Sequence, residues 1–276
     1  MSLPATPRPM NPQPYVETHG HGEPIVFIHG SFATTATWRK IIDPLVDDHL
    51  CILIKLPGHG GAPAPTDFHA PSMDTELNII EAVVRQLTDR PIHLVGHSYG
   101  GVVALALALE ARLPIRRLSL YEPVAVWLFE TLEDHPMAAQ VADFVGRYRH
   151  DAARDLPEVC AQVIDFWGGQ GSFAPLPDKL KQIMAALTPD NLRHWDLCTS
   201  TGYSVGDLRR LSCPTDLVCG SRSNAVAHAI VDHLHAQLPD SGVHRIDGAS
   251  HFLVTTHPDA CRQILTATAS PPAQPA

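Results

Sequence analysis

Short apolar runs that end in turns alternate with helical patterns along this 276-residue chain. Each run is apolar at consecutive positions, which is typical of a strand buried on both faces of a sheet. Such strands joined by helices predict an α/β fold, with a parallel sheet covered on both sides. The predicted strands lie at residues 24–30, 51–60, 91–98, 117–123, 214–220 and 242–248.

The interval between the strands at 117–123 and 214–220 is too long for a single crossover helix. It contains aromatic residues, among them Trp127, Trp167 and Trp195. One interpretation is that these residues form the core of an added helical layer and have no other role. Ligands bind at the carboxyl edge of such sheets, so Trp127 and Trp167 are also candidates for substrate contacts. Helical patterns occupy this interval at 138–148, 157–166, 177–187 and 191–199.

The pentapeptide Gly96-His97-Ser98-Tyr99-Gly100 lies between a predicted strand and a predicted helix. A sharp strand-to-helix turn holds its serine in strained dihedrals and lifts the hydroxyl clear of the sheet. Glycines are expected on either side because Cβ atoms there would collide with the neighbouring strand and helix. The N-terminal N–H groups of the new helix can stabilise negative charge beside the serine. Ser98 is therefore the predicted nucleophile of an enzyme.

A serine nucleophile needs a base and donors that stabilise an oxyanion. His251 follows the last predicted strand and is the predicted base, with His257 as its competitor. The N–H of Tyr99 is one predicted oxyanion donor. The loop after the first predicted strand supplies the second, either the N–H of Ser31 or that of Phe32. Phe32 is also a candidate substrate contact.

Together these motifs resemble those of the α/β-hydrolase superfamily. The resemblance covers residues 16–265 and implies an eight-stranded, mostly parallel sheet with a helical lid inserted after the sixth strand. The implied core consists of residues 15–123 and 202–268, the lid of residues 124–201, and residues 1–14 and 269–276 are expected to be flexible. The motifs are HGSF at 29–32 with Trp38, PGHG at 57–60, GHSYGG at 96–101 and GASH at 248–251.

The acid that orients the histidine is missing from its usual place. The superfamily commonly has an aspartate just after the seventh strand, where this chain has Ser223. Glu122 ends the strand beside that of the nucleophile, and some superfamily members take their acid from this position. The order Ser98, Glu122, His251 keeps the usual order of serine, acid and histidine. Glu122 is the predicted acid, with Ser223 or another carboxylate as the alternative.

The resemblance implies a hydrolase with acyl-transfer chemistry, because members that attack with aspartate are excluded by the serine. An ester or lactone of an apolar small molecule is the expected substrate, cleaved without a metal or organic cofactor. Carbon–carbon bond hydrolases, thioesterases, amidases and acyltransferases use the same residues and are alternatives. A non-catalytic ligand receptor on this fold is the alternative from another class.

Composition argues against several other classes of protein. The formal net charge is -9, and no basic run is longer than two residues, so nucleic acid is not an expected partner. Six scattered cysteines without a Cys-x-x-Cys pair are expected to be reduced and buried, in a cytoplasmic protein. No metal site and no transmembrane helix are expected. The expected partner is a small molecule, bound by a monomer or a homo-oligomer.

Overall fold

The apolar runs of the chain form one mostly parallel sheet. A computed structural model describes residues 11–267. The strands of this part are β1 (Val16–His19), β2 (Glu23–Ile28), β3 (His49–Ile54), β4 (Ile92–His97), β5 (Ile115–Tyr121), β6 (Thr215–Gly220) and β7 (Ser241–Ile246). They are ordered β1-β3-β2-β4-β5-β6-β7, and only the pairing of β1 with β3 is antiparallel.

The expected count of eight strands is wrong for the described residues, which contain seven. A single strand, β1, precedes β2, so the long insertion follows the fifth strand rather than the sixth. Pro12 and Pro14 lie within four residues before β1, and proline has no N–H with which to extend a ladder. Residues Gln13–Tyr15 form a 3₁₀ turn there. The rest of the predicted flexible lead, residues 1–10, and the predicted flexible tail, residues 269–276, lie outside the described part.

Alternate residues of each central strand face opposite layers of helices, because side chains alternate along a strand. In β2, Val26 and Ile28 belong to one apolar core, and Ile25 and Phe27 belong to the other. The helices are α1 (Arg39–Ile42), α2 (Asp74–Leu87), α3 (Tyr99–Leu109), α4 (Trp127–Thr131), α5 (His135–Ala152), α6 (Ala161–Gly168), α7 (Asp178–Ala186), α8 (Thr188–Thr199), α9 (Val205–Leu208), α10 (Ala225–Gln237), α11 (Leu253–Thr256) and α12 (Pro258–Thr266). Helices α2, α3 and α10 supply the first core, while α1 and α12 supply the second.

The long insertion is helical and contains α4 to α8, and the short α9 follows it before β6. A buried ion-pair network ties its last helix to the sheet domain. Arg193 of α8 is 2.7 Å from Asp67 and 2.5 Å from Glu76 of α2. Glu76 also accepts a hydrogen bond from the hydroxyl of Tyr99, at 2.9 Å. Removing one partner of a buried pair is costly, so this network fixes α8 beside the turn that carries Ser98.

All six cysteines are free and buried, as the sequence predicts. Across residues 11–267, no helix combines the length and the apolar character that crossing a membrane requires.

Candidate active site

Ser98 stands at the tip of a strained turn between β4 and α3. Its φ of 58° lies in the left-handed region, which non-glycine residues rarely occupy. A Cβ atom at Gly96 would collide with the carbonyl of Gly100, and one at Gly100 would collide with the carbonyls of Ile28 and His29. The turn therefore closes only with glycine at both flanking positions.

The side chains of Ser98, His251 and Glu122 form a continuous hydrogen-bonded chain. His251 Nε2 is 3.0 Å from Ser98 Oγ, and His251 Nδ1 is 2.8 Å from Glu122 Oε2. Since a carboxylate only accepts, Nδ1–H donates to Glu122, and in the neutral ring Nε2 is free to accept from the Ser98 hydroxyl. His251 is 3% exposed, so water is largely excluded from the imidazole.

Three groups, from His251, Gly220 and Ser223, donate hydrogen bonds to the Glu122 carboxylate. Its Oε1 accepts hydrogen bonds from the N–H of Gly220, at 2.7 Å, and from the hydroxyl of Ser223. Burial raises the pKa of Glu122, but the hydrogen bonds from His251, Gly220 and Ser223 outweigh burial and hold it below its ordinary value. Ser223 thus contacts the carboxylate rather than the histidine.

His257, the competing histidine, lies at the junction of α11 and α12. Its Nδ1 is 2.8 Å from Thr256 Oγ1, and it does not line the cavity that contains Ser98. The structure therefore brings His251, and not His257, to the serine.

The predicted oxyanion donors are backbone N–H groups of residues that line the cavity with Ser98. Tyr99 is the first residue of α3, so its N–H has no acceptor within that helix. Within residues 11–267, no loop or side-chain hydrogen bond uses the N–H of Ser31 or Phe32. All three residues line the same cavity as Ser98. Donors in this position can stabilise an oxyanion.

A cavity of about 760 Å³ opens above Ser98 and His251. Its far wall belongs to the helical insertion, and its lining is mainly apolar. Phe32 and Trp167, two of the predicted substrate contacts, are in the wall. Trp167 also stacks on the His251 ring, with 4.9 Å between centroids. The apolar lining includes Val163, Ile164, Leu176, Leu180, Met184 and Phe252.

The expectation that Trp127 contacts substrate is wrong for this structure, because Trp127 does not line the cavity. The residue opens α4, the first helix after β5, and is 4% exposed. Its ring packs edge-on against Tyr203, with 6.2 Å between centroids, within the main core. Aromatic enrichment alone did not separate core tryptophans from those of the cavity wall.

A polar section of the cavity wall was not predicted from the sequence. His194 Nδ1 is 2.8 Å from Ser31 Oγ, and the His194 ring stacks on Tyr99 with 3.7 Å between centroids. Burial lowers the pKa of His194 well below its ordinary value, so the ring is neutral. Asn191, one turn earlier on α8, lies in the same wall. The spacing of Asn191 and His194 on a helix that also carries Trp195 was the available signal.

The arrangement has the groups that nucleophilic acyl transfer requires. These are a hydroxyl hydrogen-bonded to a base, a carboxylate that orients the base, and free N–H donors. A mainly apolar chamber next to these groups can accept the body of a small molecule.

Comparison with known proteins gives the family to which these parts belong. The model of the alpha/beta hydrolase family matches residues 25–264. The chain is 27% identical to the pimeloyl-(acyl-carrier protein) methyl ester esterase of Methylococcus capsulatus, over 91% of this chain and 96% of that protein. It is 26% identical to the 2-succinyl-6-hydroxy-2,4-cyclohexadiene-1-carboxylate synthase of Yersinia pseudotuberculosis, over 92% and 90% of the two chains.

Solved structures show the same fold. The bromoperoxidase of Bacillus anthracis superposes with a TM-score of 0.70 at 22% identity, covering 91% of this chain and 92% of that one. An N-acyl homoserine lactone degrading enzyme superposes with a TM-score of 0.67 at 20% identity, covering 91% and 95%. At these identities the likeness concerns the fold alone.

Proposed function

Because the chain belongs to the alpha/beta hydrolase family, we propose that it is a serine hydrolase that cleaves an ester or lactone of an apolar small molecule. The observation that carries the proposal is the hydrogen-bonded chain from Ser98 through His251 to Glu122, of which Ser98 and His251 line a mainly apolar cavity. The resemblance to curated esterases supports the same reaction class.

In the proposed reaction, Ser98 Oγ attacks the substrate carbonyl carbon while its proton passes to His251 Nε2. The N–H groups of Ser31 and Tyr99 stabilise the oxyanion, with Phe32 as the alternative to Ser31. Glu122 stabilises the imidazolium that forms. The tetrahedral species then collapses, and the bond to the leaving group breaks as that group takes the proton from His251.

An acyl group is then attached to Ser98, and His251 is neutral again. A water molecule gives a proton to His251 Nε2 and attacks the acyl carbon, and breaking the ester bond returns that proton to Ser98 Oγ. The products are a carboxylic acid and an alcohol, or one hydroxy acid from a lactone. No step requires a metal or an organic cofactor.

The helical insertion acts, in this proposal, as a lid that selects the substrate body. Helices α6 and α7 supply Val163, Trp167 and Leu180 to the cavity wall, across from the serine turn. A mainly apolar wall favours acyl chains over charged groups. Ser98, His251 and the oxyanion donors could act in the same way on a thioester or on a carbon–carbon bond next to a carbonyl. In an acyltransferase, an acceptor molecule would take the place of water.

A short-chain p-nitrophenyl ester and a serine-directed fluorophosphonate test the proposal together. We expect release of p-nitrophenol by the wild type and loss of one labelling site in Ser98→Ala. The substitution removes only a hydroxyl, so circular dichroism should show that the fold is kept. No colour release and no labelling at Ser98 would instead favour a ligand receptor on the same fold.

A further inference from the structure

Asn191 is a buried polar side chain in the wall of the cavity that holds Ser98. It is 3% exposed, and its Oδ1 has no hydrogen-bond partner within residues 11–267. Native proteins rarely leave a buried polar atom unpaired unless a further molecule supplies the partner. Oδ1 is shielded in this orientation of the amide, whereas Nδ2 is not. Because no hydrogen bond of the described residues holds the amide, a half-turn of it exchanges the two atoms, and Oδ1 can then accept from a ligand in the cavity.

Two more polar groups stand next to Asn191. His194 follows it by one turn of α8, and His194 Nδ1 is 2.8 Å from Ser31 Oγ. His194 Nε2 makes no hydrogen bond within the described part of the chain. A neutral imidazole has one donor and one acceptor nitrogen. When the Ser31 hydroxyl donates to Nδ1, Nε2 carries the proton and can donate to a ligand.

This polar section adjoins the reacting serine. The backbone at Gly30 approaches so closely that a Cβ atom there would lie 3.0 Å from Ser98 Cβ, and Ser31 is the next residue. Tyr99, directly after Ser98, stacks on the His194 ring. A ligand atom at this wall would therefore lie near the carbonyl that Ser98 attacks.

The cavity lining restricts what that ligand group can be. No lysine, arginine, aspartate or glutamate of the described residues lines the cavity, so it offers no partner for a charged group. An acceptor at Asn191 and a donor at His194 together match a hydroxyl, which both donates and accepts.

We propose that Asn191, His194 and Ser31 form a subsite for a hydroxyl group carried near the scissile carbonyl of an otherwise apolar ester or lactone. This inference rests on the proposed serine hydrolase activity and narrows its substrate class to hydroxy esters. A site built to hydrogen-bond a hydroxyl discriminates against the analogue without it, because its buried polar atoms are then left unpaired.

Methyl octanoate and its 2-hydroxy and 3-hydroxy derivatives test the subsite as matched substrates. We expect the wild type to prefer one hydroxy ester over the plain ester by at least about tenfold in kcat/KM. Asn191→Leu keeps the number and branching of the side-chain heavy atoms and replaces both polar atoms by methyl groups, so this preference should fall by about tenfold. The matched control is Thr255→Val, elsewhere in the cavity wall, whose hydroxyl already donates to the Phe252 carbonyl. Its preference ratio should stay that of the wild type.

A wild type that prefers neither hydroxy ester overturns the proposal, and so does an Asn191→Leu enzyme that keeps the wild-type ratio. Asn191→Ala serves as a second variant if Asn191→Leu does not fold, and the preference must fall in that variant as well. These results differ from a failure of the proposed function. In that case all three esters stay intact and the fluorophosphonate does not label Ser98, which overturns both proposals.

Discussion

Glu122 leaves the end of β5 with a φ of 45°, in the left-handed region, and its carboxylate meets His251 at 2.8 Å. Ser98 also has a positive φ, of 58°. Strained residues of this kind persist where the surrounding structure fixes them, often at functional sites. Ser223, at the position usually held by aspartate, donates a hydrogen bond to the Glu122 carboxylate. We infer that the acid has moved one strand and that Ser223 now supports it.

Glu122→Gln tests this relocation. The amide keeps the shape of the side chain but removes the charge that stabilises the protonated His251. We expect kcat to fall by about 10²–10⁴-fold, by analogy with serine protease triads. Ser223→Ala is the matched control, since it removes one of three hydrogen bonds to Glu122 and should cost only a few-fold in kcat.

Ser223→Asp in the Glu122→Gln background should recover part of the lost kcat, because it restores a carboxylate next to position 122. Steady-state kinetics on one ester compare all these variants. A crippled Ser223→Ala enzyme beside a nearly normal Glu122→Gln enzyme would contradict the relocation.

At the scale of elements, the turn that carries Ser98 was predictable because its constraints are local. An apolar strand, two glycines and the start of a helix are contiguous in the sequence, and they form in the structure as predicted. The roles of the insertion's tryptophans depend on how α4 to α8 pack, which no local pattern encodes. Trp167 reaches the cavity while Trp127 packs in the core.

These two tryptophans make a matched pair for testing the lid. They are 5% and 4% exposed, so both substitutions remove similar buried surface. We expect Trp167→Leu to change the order of KM values for p-nitrophenyl esters of 4, 8 and 12 carbons, because it reshapes the cavity wall. Its kcat should also fall, since the ring stacks on His251. Trp127→Leu should lower the thermal midpoint but keep that order. The same change of KM order in both variants would contradict a lid that selects substrate through Trp167.

At the scale of the whole molecule, the sequence predicts the mostly parallel sheet because its strands are continuous apolar runs. It does not predict β1, whose four residues VETH carry no apolar pattern and are ordered by pairing with β3. The polar section around Asn191 and His194 also escaped prediction. Helix α8 meets the loop at Ser31 only through tertiary packing, across 163 positions of sequence.

Buried histidines make the stability of the whole molecule sensitive to acid. Burial lowers the pKa values of His29, His93 and His97 to about 3 each. In the unfolded chain these pKa values are about 6.5, so between about pH 6.5 and 3 the unfolded state binds protons that the folded state does not. Their stabilising contribution is complete above pH 6.5 and is lost as pH falls. For each pH unit of acidification in this range, each histidine lowers the free energy of unfolding by up to about 1.4 kcal/mol.

Urea unfolding at pH 7.5, 6.5, 5.5 and 4.5 measures this loss. His93→Asn removes the one of these three histidines whose Nε2 contacts Ser119 Oγ, at 2.8 Å. His93 does not line the cavity, so the substitution leaves the candidate active site unchanged. Its unfolding free energy should fall less steeply with acid, by up to about 1.4 kcal/mol per pH unit. A slope equal to that of the wild type would contradict the assignment of a buried neutral ring at His93.

The central claim is that Ser98 carries the acyl group during turnover, and the mass of the enzyme quenched in acid while it consumes an ester measures this directly. We expect a fraction of the wild type to gain the mass of the acyl group, located by peptide mapping on Ser98. Glu122→Gln should show the same adduct more slowly, and Ser98→Ala should show none. An ester consumed at full rate by Ser98→Ala, or an adduct on another residue, would contradict the account.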